Sequence, residues 1–311
     1  MGEAIRIENL NKSYGKVKAV SDLSFSVEEG ELFAFLGVNG AGKSTSISII
    51  CGQLGRDSGR VYIGGKDIDK DPENMKRSLG VVFQNSALDR TLTVRDNLQS
   101  RAALYGICGE VFEKRVLEVS GLLEIGDILK RPVGKLSGGQ RRKADIARAL
   151  IHSPKILILD EPTTGLDPQS RKTLWNVISS LRKERSLTVL LTTHYMEEAA
   201  GADNVVIIDG GKIVAEGSPL ALKNRYCGDF VTLYGVDELS VKALGVPYEP
   251  VLGGYRLSVL DTAAATALIL ANPGLFRDYE VVKGNMDHVF LAATGKVLGE
   301  PEQNLRRRGR R

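Results

Sequence analysis

Short runs of alternating or continuous apolar residues open the chain and predict strands over residues 4–10, 19–27 and 31–36. A glycine-rich turn follows the third run, and the apolar segment 44–54 behind it predicts a helix. Residues 61–63 and 79–83 are further strand candidates. From Thr93 to about Ile151 the period changes. Apolar residues recur three and four apart in LTVRDNLQSRAALYGI and GEVFEKRVLEVSGLLEIG, the spacing of helices with one buried face.

An α/β rhythm then returns, with a buried-type strand at 155–159, a helix over 169–185, a strand at 187–193 and a short helix from Tyr195. The segment NVVIIDGGKIVAEG splits into two β-rich halves around Gly210 and Gly211 and predicts a hairpin. Past about Arg225 the composition shifts. Strands are predicted at 229–236 and 255–259, and a helix over 261–271 capped by Asp261. The expected organisation is one domain over residues 1–228, with a helical subdomain at about 93–151, and an accessory α+β domain over 229–298. A basic, Gln- and Asn-rich disordered tail is expected at 299–311.

Composition removes several classes. At 42% hydrophobic and 26% charged residues, the 311-residue chain is neither disordered nor fibrous, and it is long enough for about two domains. No run reaches the roughly 18 uncharged apolar residues of a membrane span, the longest candidate (262–276) being broken by Pro273 and Gly274. The opening MGEAIRIENL has no basic and apolar leader, so no secretory signal is expected, and work at a membrane would require recruitment by another chain. The net charge of +4 is concentrated at Arg306, Arg307, Arg308, Arg310 and Arg311. The remainder is near neutral, so no specific nucleic-acid surface is expected. Cys51, Cys108 and Cys227 are far apart and form no CxxC pair, which fits a reducing cytoplasm and excludes a disulfide framework or a zinc site.

The sharpest chemical signal is Gly37-Val-Asn-Gly-Ala-Gly-Lys-Ser44, a GxxxxGK[ST] loop between a predicted strand and a predicted helix. Backbone N–H groups of Gly40, Gly42 and Lys43 can surround phosphate oxygens, and the helix N-terminus adds the positive end of its dipole. Lys43 can neutralise β- and γ-phosphate charge, and Ser44 can ligate Mg²⁺. The motif therefore points to a nucleoside triphosphate, with Gly37, Asn39, Ala41 and Thr45 completing the loop. A second signal is the apolar strand that ends in Asp160-Glu161. At the carboxyl end of a strand in an open α/β sheet, Asp160 can hold Mg²⁺ and Glu161 can polarise an attacking water. A third is Leu136-Ser-Gly-Gly-Gln140, where Ser137 is placed to cap a helix whose first N–H groups are left open by Gly138 and Gly139.

The set GVNGAGKST, Gln84, LSGGQ, ILILDE and His194 resembles, in order and spacing, the ATP-binding subunit of ABC transporters over roughly residues 4–226. The resemblance implies an α/β fold: a P-loop ATPase core with a parallel sheet, an antiparallel β subdomain and a helical subdomain, here with a small C-terminal α+β appendage. It implies ATP and Mg²⁺ as ligands. It also implies that Tyr14 stacks on adenine, that Gln84 approaches Mg²⁺ and water and reports to the transmembrane partner, that Asp167 meets the opposite subunit and that His194 contacts the γ-phosphate. In such proteins Ser137, Gly138, Gly139 and Gln140 of one subunit close over ATP held by Lys43 of the other. The implied partners are therefore a second ATPase subunit, as a homodimer, and a separate multi-span permease at the cytoplasmic face of the membrane. Val38 stands where many members have Pro.

ARALIHSPKILILDEPTTGLDPQSR, TTHYMEEAAGADNVVIIDGGKIVAEGSP and the late HVFLAATG look like the ATPases of daunorubicin-resistance, nodulation-factor and antibiotic-efflux exporters. That finer resemblance favours an exporter subunit over an importer ATPase or a soluble ABC ATPase acting on nucleic acid or ribosomes. Residues 289–291 read either as an apolar helix face docking the appendage or as a partner contact.

Overall fold

The computed structural model describes residues 2–295, so the tail expected at 299–311 lies outside the described residues. The chain divides into two compact units, one ending at Ile213 and the other beginning at Val214.

In the first unit, β1 (Glu3–Tyr14) and β2 (Val17–Glu28) form a long antiparallel pair, followed by β3 (Leu32–Leu36) and α1 (Lys43–Ile50). Next come β4 (Ser58–Ile63), β5 (Lys66–Asp67), α2 (Pro72–Ser78) and β6 (Leu79–Val82). Three helices follow, α3 (Val94–Ala103), α4 (Gly109–Leu123) and α5 (Gly138–Leu150). The α/β part resumes with β7 (Ile156–Asp160), α6 (Pro168–Arg185), β8 (Thr188–Thr193) and α7 (Met196–Ala200). It closes with the expected hairpin of β9 (Asn204–Asp209) and β10 (Lys212–Gly217), whose second strand runs across the boundary at Ile213.

Two sheets result. One is antiparallel, in the order β2-β1-β4-β5; the other has the order β10-β9-β3-β8-β7-β6 and is parallel from β9 through to β6. Every residue of β3, β7 and β8 is buried, which is why β3 and the first four residues of β7 read as unbroken apolar runs, while β8 mixes Val and Leu with three threonines. Phe25 stacks on Phe33 with ring centroids 5.2 Å apart, tying the two sheets into one core. A fully buried side chain of that size contributes about 1.5–3 kcal/mol. The helical stretch is set by its caps and stripes. Thr93 and Asp96 close a capping box on α3, and Phe112, Val116, Val119 and Leu123 form the buried face of α4.

The second unit contains α8 (Pro219–Tyr226), β11 (Asp229–Tyr234), α9 (Glu238–Lys242), β12 (Tyr248–Val251), β13 (Gly254–Val259), α10 (Thr262–Ala271), β14 (Tyr279–Lys283) and α11 (Met286–Thr294). Its antiparallel sheet runs β12-β13-β11-β14 over a core of Val231, Leu233, Leu257, Ala265 and Phe276. Asp261 caps α10, its carboxylate accepting from the Ala264 N–H at 2.8 Å. α8 packs against α11 and so groups with this unit, ahead of the composition change near Arg225. Among the described residues no helix is long and apolar enough to cross a membrane.

Candidate nucleotide site

The parallel strands of the first unit end side by side. Leu36 of β3 lies opposite Thr193 of β8, Asp160 of β7 opposite Thr192, and Val82 of β6 opposite Leu159. The chain segments that follow these ends carry Gly37, His194, Glu161 and Gln84 to the same edge of the sheet. That is the edge where open α/β sheets bind ligands.

The loop after β3 is held tightly. A Cβ at Gly37 would lie 2.6 Å from the Ile208 carbonyl oxygen, and one at Gly42 would lie 2.3 Å from that of Ala19. Gly42 also has φ +108°, a conformation that side chains strain to adopt. Val38 packs back against the core, so the side chain that replaces the family's common Pro is absorbed there. The Gly210-Gly211 turn braces the loop from the other side: Gly211 N–H donates to the Ala41 carbonyl at 3.0 Å, and Ser21 N–H to the Gly211 carbonyl at 2.8 Å. Because Gly42 is the N-cap of α1, no side chain caps its first turn, and the helix presents its leading N–H groups to a ligand.

These features line a cavity of about 320 Å³ bounded by Ala19, Asn39, Gly40, Gly42, Lys43, Ser44, Thr45, Gln84 and Glu161. Lys43 is buried, and its Nζ donates to the Gly37 carbonyl at 2.7 Å and the Val38 carbonyl at 3.2 Å. Burial pulls its ammonium below the ordinary lysine value, opposed by the carboxylates of Glu161 and Asp160. An ammonium and a free helix N-terminus facing one cavity suit a triphosphate.

Glu161 is the hub. Its Oε1 lies 3.7 Å from Lys43 Nζ and 3.3 Å from His194 Nδ1, while its Oε2 accepts from Gln84 Nε2 at 3.1 Å and Thr164 Oγ1 at 3.3 Å. Its backbone sits in the left-handed region at φ +45°, which costs a side-chain-bearing residue about 1–2 kcal/mol. The strained turn is pinned by Thr192: Glu161 N–H donates to both the Thr192 carbonyl and its Oγ1, each at 3.1 Å. The Thr192 hydroxyl in turn donates to Asp160 Oδ1. Burial raises the Asp160 carboxyl above the usual aspartate range, and the Thr192 bond opposes that.

Among the described residues no group of three or more His, Cys, Asp or Glu side chains is arranged to hold a metal ion. Ser44 and Gln84 nevertheless line the cavity beside Lys43. That donor set suits Mg²⁺, which takes few protein ligands and completes its shell with phosphate oxygens and water.

The other sequence-predicted residues lie elsewhere. Tyr14 ends β1, half exposed, with Lys12 Nζ 5.9 Å from its ring centroid. Ser137 caps α5 in a reciprocal box, its Oγ accepting from Gln140 N–H at 3.2 Å and Gln140 Oε1 accepting from Ser137 N–H at 3.1 Å. Gly138 opens that helix, and Ser137, Gly139 and Gln140 line a second cavity of about 260 Å³. Asp167 caps α6, accepting from Ser170 N–H at 2.9 Å and Ser170 Oγ at 2.6 Å. Sequence reasoning missed Thr192, one of three threonines in β8 and part of no motif, and two buried charges on α5, Arg142 and Asp145. The signal for those two was their i, i+3 spacing on the face that carries Ile146 and Ala149.

The ABC transporter family profile matches residues 20–164. Linearmycin resistance ATP-binding protein LnrL of Bacillus subtilis is 36% identical over 309 residues, covering 94% of this chain and 99% of that protein. The chain belongs to the ABC transporter ATP-binding proteins. Within this family it resembles resistance and export members. Nod factor export ATP-binding protein I of Ralstonia nicotianae is 40% identical over 309 residues, covering 94% of each chain. Doxorubicin resistance ATP-binding protein DrrA of Mycobacterium tuberculosis is 34% identical over 310 residues, covering 94% of this chain and 93% of that one. Among solved structures, cbiO1 of Clostridium perfringens, part of the ABC transporter complex cbiONQ, has a TM-score of 0.66 at 30% identity, covering 71% of this chain and 91% of its own. The dimeric post-hydrolysis ATP-binding cassette MJ0796, bound to ADP and Pi, has a TM-score of 0.63 at 28% identity, covering 69% and 98%. The fold is thus that of an ABC ATPase, and the protein is an ATPase.

Proposed function

We propose that the protein is the ATP-hydrolysing, energy-coupling subunit of an exporter, acting as a homodimer on a separate multi-span permease at the cytoplasmic face of the membrane. The observation that carries the chemistry is the Glu161 carboxylate, held within 3.7 Å of Lys43 and 3.3 Å of His194 at the phosphate loop. Glu161 takes the proton of the attacking water, Lys43 and the α1 N-terminus neutralise phosphate charge, and His194 orients the terminal phosphate. Ser44, Gln84 and Asp160 are the residues that would hold Mg²⁺, which when bound neutralises charge on the phosphate oxygens. Tyr14 stacks on the base. Ser137 and Gly139 of one chain complete the site around Lys43 of the other, which accounts for their lining a separate cavity within a single chain.

The exporter reading is supported by relatives named for drug resistance or Nod factor export that align over 94% of the chain. The cbiO1 likeness covers only 71%. The transported compound belongs to the multidrug, antibiotic or lipid-like glycan class. The deciding experiment captures tagged Glu161→Gln with ATP from detergent-solubilised native membranes and identifies co-purifying chains by mass spectrometry. A multi-span permease of an export operon is the expected companion. A permease with an import receptor, or ribosomal proteins without any permease, would overturn the reading.

A further inference from the structure

Arg142 sits on the second turn of α5, downstream of the Ser137 cap, and is only 7% exposed. Among the described residues its guanidinium makes no exposed ion pair. Instead it is spent on three backbone carbonyls: Nη1 donates to Phe83 at 2.6 Å, Nη2 to Asp160 at 3.1 Å and Nε to Pro162 at 2.7 Å. Phe83 immediately precedes Gln84. Asp160 and Pro162 bracket Glu161. One planar fork therefore fixes the peptide leading into Gln84, the peptide leading into the strained Glu161 and the carbonyl of the residue after it. One helical turn on, the buried Asp145 grips the other side of Gln84, its Oδ1 accepting from Ser86 Oγ at 3.0 Å and Ala87 N–H at 3.3 Å.

We propose that Arg142 and Asp145 are positioning residues that set Gln84 against Glu161, so that the helix beginning at Ser137 holds its own chain's catalytic pair in register. This rests on the roles of Gln84 and Glu161 given above. A conformation such as that of Glu161 persists only when its surroundings over-determine it. Thr192 restrains the Glu161 N–H, and Arg142 restrains the carbonyls before and after it. A lysine at 142 would carry the charge but could not span three carbonyls with fixed geometry. Motion of α5 relative to β6 and β7 would move Gln84 and the Glu161 turn together, because both hang from the same guanidinium.

The test uses the full-length chain with Arg142→Lys, Ser86→Ala and Glu161→Gln. Arg142→Lys should lower kcat about 10- to 100-fold, the cost of small misplacements at a reacting centre, with KM for ATP within about twofold of the parent. Amide deuterium uptake should rise in peptides covering 83–90 and 160–164 and stay at parent level over 32–50 and 174–193. Ser86→Ala should give the same pattern more weakly, confined to 83–90, and it carries the test if Arg142→Lys fails to fold. Parent kcat in a folded Arg142→Lys chain, or uptake rising across the whole core, would overturn the positioning role. Glu161→Gln separates the two claims. If it turns over at the parent rate, the underlying catalytic reading falls. If it is inactive while Arg142→Lys is fully active, only the positioning proposal falls.

Discussion

Gln84 Nε2 donates to Glu161 Oε2 across 3.1 Å, joining the loop after β6 to the turn after β7. The amide therefore occupies one carboxylate oxygen while the other lies between Lys43 and His194. In the proposed mechanism Gln84 reports to the permease and Glu161 drives hydrolysis; on that reading the two share a single contact, so a displacement of one changes the other's chemistry.

Glu161→Gln keeps the shape of this hub and removes its basicity. ATP binding should persist and ATP-dependent dimers should accumulate, while turnover falls by about 100- to 1000-fold or more. Steady-state phosphate release and gel filtration with ATP measure the two effects.

Gly42→Ala places a Cβ 2.3 Å from the Ala19 carbonyl at φ +108°. The loop must shift, so nucleotide affinity should drop sharply, with a stability loss of about 1–3 kcal/mol. Fluorescent-nucleotide titration and thermal melting report each separately. Gly40→Ala, whose added carbon meets nothing within 4 Å, should be the milder change despite its positive φ.

Thr192→Val leaves Asp160 Oδ1 and the Glu161 N–H without their hydroxyl partner. Stability should fall by about 1–3 kcal/mol. Since the Thr192 bond opposes the upward push of burial on the Asp160 carboxyl, its loss raises that carboxyl further. Asp160 then stays protonated to higher pH, and the acid limb of the kcat/KM profile should move upward. Thr192→Ser should restore the parent profile.

His152 stacks on Tyr105 at 3.9 Å between ring centroids, and its Nε2 lies 3.1 Å from the Leu79 carbonyl. Burial pushes the imidazole down from 6.5 to about 4. Between those values the unfolded chain binds a proton that the folded chain refuses, so stability must fall as pH drops from 6.5 towards 4. Melting temperatures of His152→Gln should depend less steeply on pH across that window.

The parts of the fold most legible in the sequence were those where one physical requirement dominates. β3 and the first four residues of β7 are continuous apolar runs because both faces of the sheet are covered, and the phosphate loop declares itself through glycines that sterics require. The hairpin of β9 and β10 was visible in its Gly-Gly turn. Less legible were α2 and β5, short elements with mainly polar composition, and β14, whose residues are all exposed and show no alternation of burial. At the site, Gln84, Glu161, Lys43 and His194 could be named because the motif set is so specific. Thr192 and Arg142 could not. One hydroxyl among three in a threonine-bearing strand and a charge in a basic helix look ordinary until the sheet register brings them to carbonyls and carboxylates distant in sequence.

The brace from Gly211 to Ala41 ties the phosphate loop to a turn 170 positions further along the chain. Ordering that loop is thus part of folding the sheet. The incoming nucleotide meets donors already in place, and its capture should be governed by diffusion and electrostatic steering, with little conformational rearrangement to slow it. Loosening the Gly210-Gly211 turn would show first as a slower association rate, before any loss of chemistry.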